Sequence, residues 1–121
     1  MPEIGLKITS IKKVLSLLYE SIQLFEGFKK TSQHTKKEEK IILALRDSII
    51  QRFEYCTDLF WKVLKIHLEE IEKVTLSTYS PVGVIRAAVE ARIITEDQGQ
   101  GCLEMIKSRN LTSHIYHEEV A

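Results

Sequence analysis

The segment Arg109-Asn110-Leu111-Thr112-Ser113-His114-Ile115-Tyr116 places a guanidinium, an amide, two hydroxyls, an imidazole and a phenol within eight residues. An imidazole that moves a proton, beside a guanidinium that stabilises negative charge on a phosphate, is the equipment for cleaving RNA without a metal. Geometry sets a condition. On a continuous helix Arg109 and His114 stand about 140° apart, so a break in the helix or the reach of Arg109 must bring both onto one phosphate. Asn110, His114 and His117 would then share one face, with Arg109, Ser113 and Tyr116 on the adjacent one. The structural alternative is a helix C-terminus, where Arg109 and Asn110 satisfy carbonyls and Thr112 or Ser113 caps the next element.

A second polar constellation is the line Asp47, Gln51, Glu54, Asp58 and Lys62, spaced at four and three so that all occupy one helix face. It is either a solvated stripe or the wall of a nucleotide or partner site, with Asp47, Gln51, Glu54 and Lys62 as the binding candidates. His114, His117 and Glu118 lack a clear further ligand, so no metal is expected. Cys56 and Cys102 read as small core residues rather than nucleophiles. Lys29, Lys30, Lys36, Lys37 and Lys40 gather around one loop, as a solvated surface or a contact for phosphate. There is no glycine-rich phosphate loop, no serine elbow and no HExxH. Kinase, serine-hydrolase and zinc-protease chemistry therefore lack their parts, and no cofactor is expected.

The elements that must position these groups are helical, because apolar residues recur at three and four, and 5 Gly with 2 Pro punctuate too little for many short strands. Ser10 is the expected cap of a first helix of about 20 residues, striped by Ile11, Val14, Leu15, Leu18, Ile22 and Phe25 and fading near Gly27 to Lys30. A polar loop, Thr31 to Thr35, leads through Lys36 to Lys40 into a second helix of roughly 30 residues. Its stripe is Ile42, Leu45, Ile49, Phe53, Cys56, Phe60, Leu64 and Ile71, widened by Trp61, Val63 and Leu68. Thr75 to Tyr79 interrupts the pattern, and Ser80-Pro81 starts a third helix running to about Ile93. Thr95-Glu96-Asp97 starts a fourth, expected to end near Arg109, with a short fifth beginning after Leu111. The prediction is an all-α, antiparallel four-helix bundle, with up to five helices, in one domain over residues 1–121.

Lys plus Arg and Asp plus Glu both total 17, so no global charge attracts nucleic acid or an anionic membrane. Cysteines without CxxC spacing and the lack of a leader pattern or long apolar run predict a cytoplasmic chain without membrane association.

Four segments together resemble a known family: Arg46-Asp47-Ser48-Ile49-Ile50-Gln51-Arg52-Phe53-Glu54-Tyr55, Phe60-Trp61-Lys62-Val63-Leu64-Lys65, Ser80-Pro81 through Ile85-Arg86-Ala87-Ala88, and Met105 to Tyr116. They are similar to the nucleotidyltransferase substrate-binding proteins, a branch of the HEPN superfamily, over about residues 10 to 120. The resemblance implies a helical homodimer that binds a substrate or nucleotide and pairs with a separate minimal nucleotidyltransferase, as the toxin half of a toxin–antitoxin pair. Related HEPN toxins carry R-x4-H-x-Y, matched by Arg109, His114 and Tyr116. That likeness implies a metal-independent ribonuclease site near the dimer interface, acting on tRNA or mRNA. In it His114 is the general acid or base, Arg109 holds the scissile phosphate and Asn110 supports them. It also implies silencing by transfer of AMP to Tyr116, whose added bulk and charge would repel RNA. Two departures stand out. Cys102 occupies a position where many relatives carry tryptophan, and only His117 to Ala121 come after the motif, so the last helix reads as truncated.

Overall fold

The computed structural model describes the backbone of residues 2–120 and the side chains of residues 7–112, 114 and 115. Four helices account for most of it: α1 Pro2–Thr31, α2 Lys36–Ile66, α3 Pro81–Glu90 and α4 Glu96–Val120. No strand occurs among the described residues. The expected all-α bundle is what forms, with α2 packed against each of the other three helices.

α1 begins eight residues before Ser10, which is exposed inside the helix rather than at its start. The apolar spacing that defines its stripe continues back through Ile8 and Ile4, and Pro2 suits a first helical position because its missing N–H has no partner there to lose. The loop 32–35 reverses the chain. His34 takes a left-handed backbone (φ 55°), and Thr35 caps α2 by accepting from the Glu38 N–H at 3.2 Å. Glu38 answers by accepting from the Gln33 N–H and the Thr35 hydroxyl. This reciprocal arrangement satisfies donors that a helix start would otherwise leave open.

α2 runs directly into a single π-helical turn, His67–Ile71. The wider turn changes which residues face inward. Leu68 is fully buried, whereas Ile71, expected on the core stripe, is 46% exposed. Ser80 then accepts from the Gly83 N–H at 3.1 Å with Pro81 in the first turn, as the Ser-Pro pair predicts.

α3 ends at Glu90 rather than near Ile93. Arg92 adopts φ 61°, and the bonds Arg92 N–H to Val89 O and Ile93 N–H to Ala88 O close the helix in a left-handed C-terminal turn. Thr95 and Gln98 exchange side-chain and backbone hydrogen bonds at 3.1 and 3.0 Å, a full capping box for α4.

α4 does not end near Arg109, and no fifth helix begins after Leu111. Asn110, Thr112 and Ser113 are weak helix formers, but none breaks a helix as Gly or Pro does, and nothing else in the segment stops the ladder. Arg109 and Asn110 therefore sit mid-helix instead of closing one.

The main core lies where α2, α3 and α4 converge: Leu64, Leu68, Leu76, Val84, Ile85, Ala88 and Ile106. Gly99 lets α4 approach α3, since a β-carbon there would lie 2.4 Å from Val89 Cγ2. Along α1 the described buried residues are Val14 and Ser21. Ser21 donates to the Leu17 carbonyl, and Arg52 from α2 donates to that same carbonyl at 2.7 Å and to the Ser21 hydroxyl. Among the described residues, no helix is long and apolar enough to cross a membrane.

Candidate functional site

Arg109 lies one turn beyond Ile106 on α4, so the burial of Ile106 in the core carries the arginine to the α2 surface. There its Nη2 donates to Asp58 Oδ2 at 3.2 Å and stands 3.8 Å from Glu54 Oε2. The two carboxylates are one turn apart on α2 and meet the same nitrogen of the guanidinium. Arg109 retains 27% side-chain exposure and Glu54 24%, so the cluster is half-buried and screened less than a surface pair.

His114 and Asn110 are exposed. With α4 unbroken, His114 stands about 140° around the axis and ~7.5 Å along it from Arg109. The break that would bring the two side chains together does not exist, and Arg109 reaches toward α2 instead. A phosphate arriving at Arg109 would compete with two carboxylates already in contact with it. Tyr116 belongs to the α4 backbone, but its side chain lies outside the described residues, as do those of Ser113, His117 and Glu118.

The polar line on α2 divides. Glu54 and Asp58 turn to Arg109, Asp47 is half-buried and 3.2 Å from its neighbour Arg46, and Gln51 and Lys62 are exposed. Asp58, the nearest carboxylate to Arg109, is not one of the binding candidates that the sequence singles out. The signal for it is its place four residues after Glu54 on the same face.

An open cleft of about 650 Å3 between α1, α2 and α4 is lined by Leu15, Phe53, Phe60, Ile94, Cys102 and Met105, among others. Cys56 also lines it, and burial pushes both thiols up from their ordinary range, which keeps them protonated and unreactive at neutral pH. Cys102, on α4, thus borders an open hollow. Among the described residues no group of three His, Cys, Asp or Glu side chains could hold a metal ion.

No curated protein and no solved structure matches the chain. The model of the family described as nucleotidyltransferase substrate binding protein like matches residues 6–121, a span that includes the α1–α2 pair, the core and the whole Arg109 cluster. A match over nearly the full length shows the family: the chain belongs to the nucleotidyltransferase substrate binding protein like family.

Proposed function

We propose that this chain is the non-catalytic, substrate- or nucleotide-binding subunit of a two-protein system, and the toxin half of a HEPN-type toxin–antitoxin pair whose other member is a minimal nucleotidyltransferase. The observation that carries this reading is the Arg109 cluster. The guanidinium best suited to phosphate chemistry is engaged by Asp58 and Glu54 on α2, while His114 lies five residues further along an unbroken α4. Nucleotidyl transfer belongs to the partner in this reading, and Gln51 and Lys62, exposed on the α2 face beside Asp47 and Glu54, offer it polar contacts. Co-elution with the cognate nucleotidyltransferase on a sizing column at micromolar concentration is expected. Separate elution at that concentration removes the proposal.

A second reading is favoured by the R-x4-H-x-Y spacing: a metal-independent ribonuclease silenced by AMP transfer to Tyr116. His114 would take the proton of a ribose 2′-hydroxyl as its oxygen attacks phosphorus, the P–O5′ bond would break to leave a 2′,3′-cyclic phosphate, the departing 5′-oxygen would take a proton from water, and Arg109 would balance the charge on the phosphate. Asn110 would support the site. On an unbroken α4 one chain presents these groups on different faces, so this chemistry needs a homodimer in which a second copy completes the pair. Exposed Leu111 and Ile115, one turn apart on α4 beside His114, give such a dimer an apolar contact. RNA cleavage in EDTA that vanishes in His114→Ala is the expected result, and cleavage surviving that substitution refutes the assignment.

A further inference from the structure

The end of the molecule where α1 meets α2 carries a charge pattern that neither reading uses. Lys29 and Lys30 lie in the last turn of α1, and Lys36, Lys37 and Lys40 lie in the first turns of α2; all five are exposed. Three glutamates share residues 26–40, but two are committed to the loop itself. Glu38 accepts from Gln33 and Thr35, and Glu39 pairs with His34. The Glu38 carboxyl is held below its usual range, first by the Thr35 hydroxyl and then by the Gln33 N–H, so it stays ionised and occupied. Lysines at the start of α2 also run against the helix dipole, which favours carboxylates there. The chain as a whole is neutral, so this tip is a local excess of positive charge balanced by negative charge elsewhere.

From this we infer that the α1–α2 tip is a docking surface for the phosphate backbone of RNA, separate from the Arg109 cluster. An acidic protein is the poorer fit. Protein interfaces are depleted in lysine and anchored by Trp, Tyr or Arg, and residues 26–40 contain none of those three anchors. Lysine is a compact point charge that meets phosphates without reading bases, so the surface recognises backbone rather than sequence. Lys36 lies eighteen residues from Glu54 along α2, about 27 Å at the helical rise, so a strand bound at the tip would extend toward the cluster rather than occupy it. The choice of RNA over DNA rests on the ribonuclease reading above; the phosphate contact does not.

The test is fluorescence anisotropy of the full chain with a labelled 20-nucleotide oligouridylate at 50 and 200 mM KCl. Five phosphate contacts give a slope of log K against log salt of about −3.5, hence roughly a 100-fold loss of affinity across that range. Replacing all five lysines (K29Q, K30Q, K36Q, K37Q, K40Q) is expected to weaken binding more than tenfold at the lower salt and to flatten the slope, and arginine at the same positions is expected to restore both. Circular dichroism checks the fold. Should the fivefold variant not fold, the pairs K29Q/K30Q and K36Q/K37Q each remove about two-fifths of the slope. Absence of salt-dependent binding by the wild type, unchanged affinity in the glutamine variants, or a polyglutamate peptide binding as tightly as the oligonucleotide overturns the inference. Tighter binding to duplex DNA than to RNA overturns the choice of RNA. The two proposals fail separately: loss of cleavage activity with oligouridylate binding intact removes the ribonuclease reading alone, and cleavage intact with affinity insensitive to the lysines removes the docking surface alone.

Discussion

The two halves of α2 are held by different physics. Its C-terminal half, with the π turn, packs on α3 and α4 through side chains that leave water entirely, Leu68, Val84, Ile85 and Ala88 each at 0% exposure. Its N-terminal half lies against α1, where Val14 and Ile42 are buried, Leu15, Tyr19, Leu24 and Leu43 remain largely exposed, and Arg52 adds a partly buried polar contact. Apolar burial therefore makes the α2–α3–α4 end the stable unit. The α1–α2 arm keeps apolar and basic surface available for other molecules. The Arg109 cluster sits between the two, fastened to the core by Ile106 and to the polar face of α2 by its carboxylates.

The largest test of that contrast is Leu68→Ala against Val14→Ala in urea denaturation. Leu68 is enclosed by the core and its truncation should cost about 2–5 kcal/mol. Val14, also buried at 8% exposure but on the arm, loses fewer carbons beside neighbours that stay exposed and should cost about 1.5 kcal/mol. Equal costs would mean that the arm is as tightly packed as the core. Arg52→Ala is next. It removes the charged donor to the Leu17 carbonyl and the Ser21 hydroxyl, both on α1, at about 1.5–3 kcal/mol. Amide exchange in α1 should rise while residues 84–88 stay protected; uniform loss of protection would show one cooperative unit instead of two.

Gly99→Ala probes the core from the opposite side. Its added methyl meets Val89 and should cost about 1–3 kcal/mol, with Val89→Ala relieving the clash. At Gly101, two residues along α4, a β-carbon would have nothing within 4 Å, so Gly101→Ala should raise stability by about 0.5–1 kcal/mol. A smaller effect belongs to the boundary between the regions. In a double-mutant cycle on Arg109 and Asp58, a half-exposed pair should show a coupling of about 0.5–1 kcal/mol that shrinks with salt. No coupling would mean that Arg109 can exchange carboxylate for phosphate without loss.

Much of this architecture can be read from local sequence. The Ser80-Pro81 start, the Thr95 cap and the stripe through Phe60 and Leu64 follow from nearest-neighbour chemistry, and each forms. Three features escape because no local signal encodes them. The start of α1 depends on an apolar spacing that passes through Thr9-Ser10 without stopping. The π turn moves Leu68 inward and Ile71 outward, although both fit one α-helical stripe. α4 continues past Arg109 because weak helix formers there meet no competing turn. The site is legible in the sequence as two polar faces, one on α2 and one on α4. Which of them meet, and that Asp58 faces Arg109, depends on residues 51 apart in the chain.

The subtlest difference between the two regions lies in their helix starts, which are the same device built from different acceptors. At α4, Thr95 is answered by Gln98, an amide that does not titrate. At α2, Thr35 is answered by Glu38, whose carboxyl is held below its usual 4.5, first by the Thr35 hydroxyl and then by the Gln33 N–H. A carboxyl with a lowered folded-state pKa stabilises the fold above its unfolded value and loses that contribution as pH falls through the folded value. Acidification below about pH 4.5 should therefore loosen the α2 start, raising amide exchange over residues 33–40, while residues 95–99 keep their protection. Glu38→Gln converts the arm's cap into the core's version and should abolish the pH dependence at that end. If exchange at both starts rises together on acidification, and does so equally in Glu38→Gln, the cap is not what separates the arm from the core. A response confined to the wild-type arm would make the tip that carries the five lysines the first part of the chain to open in acid.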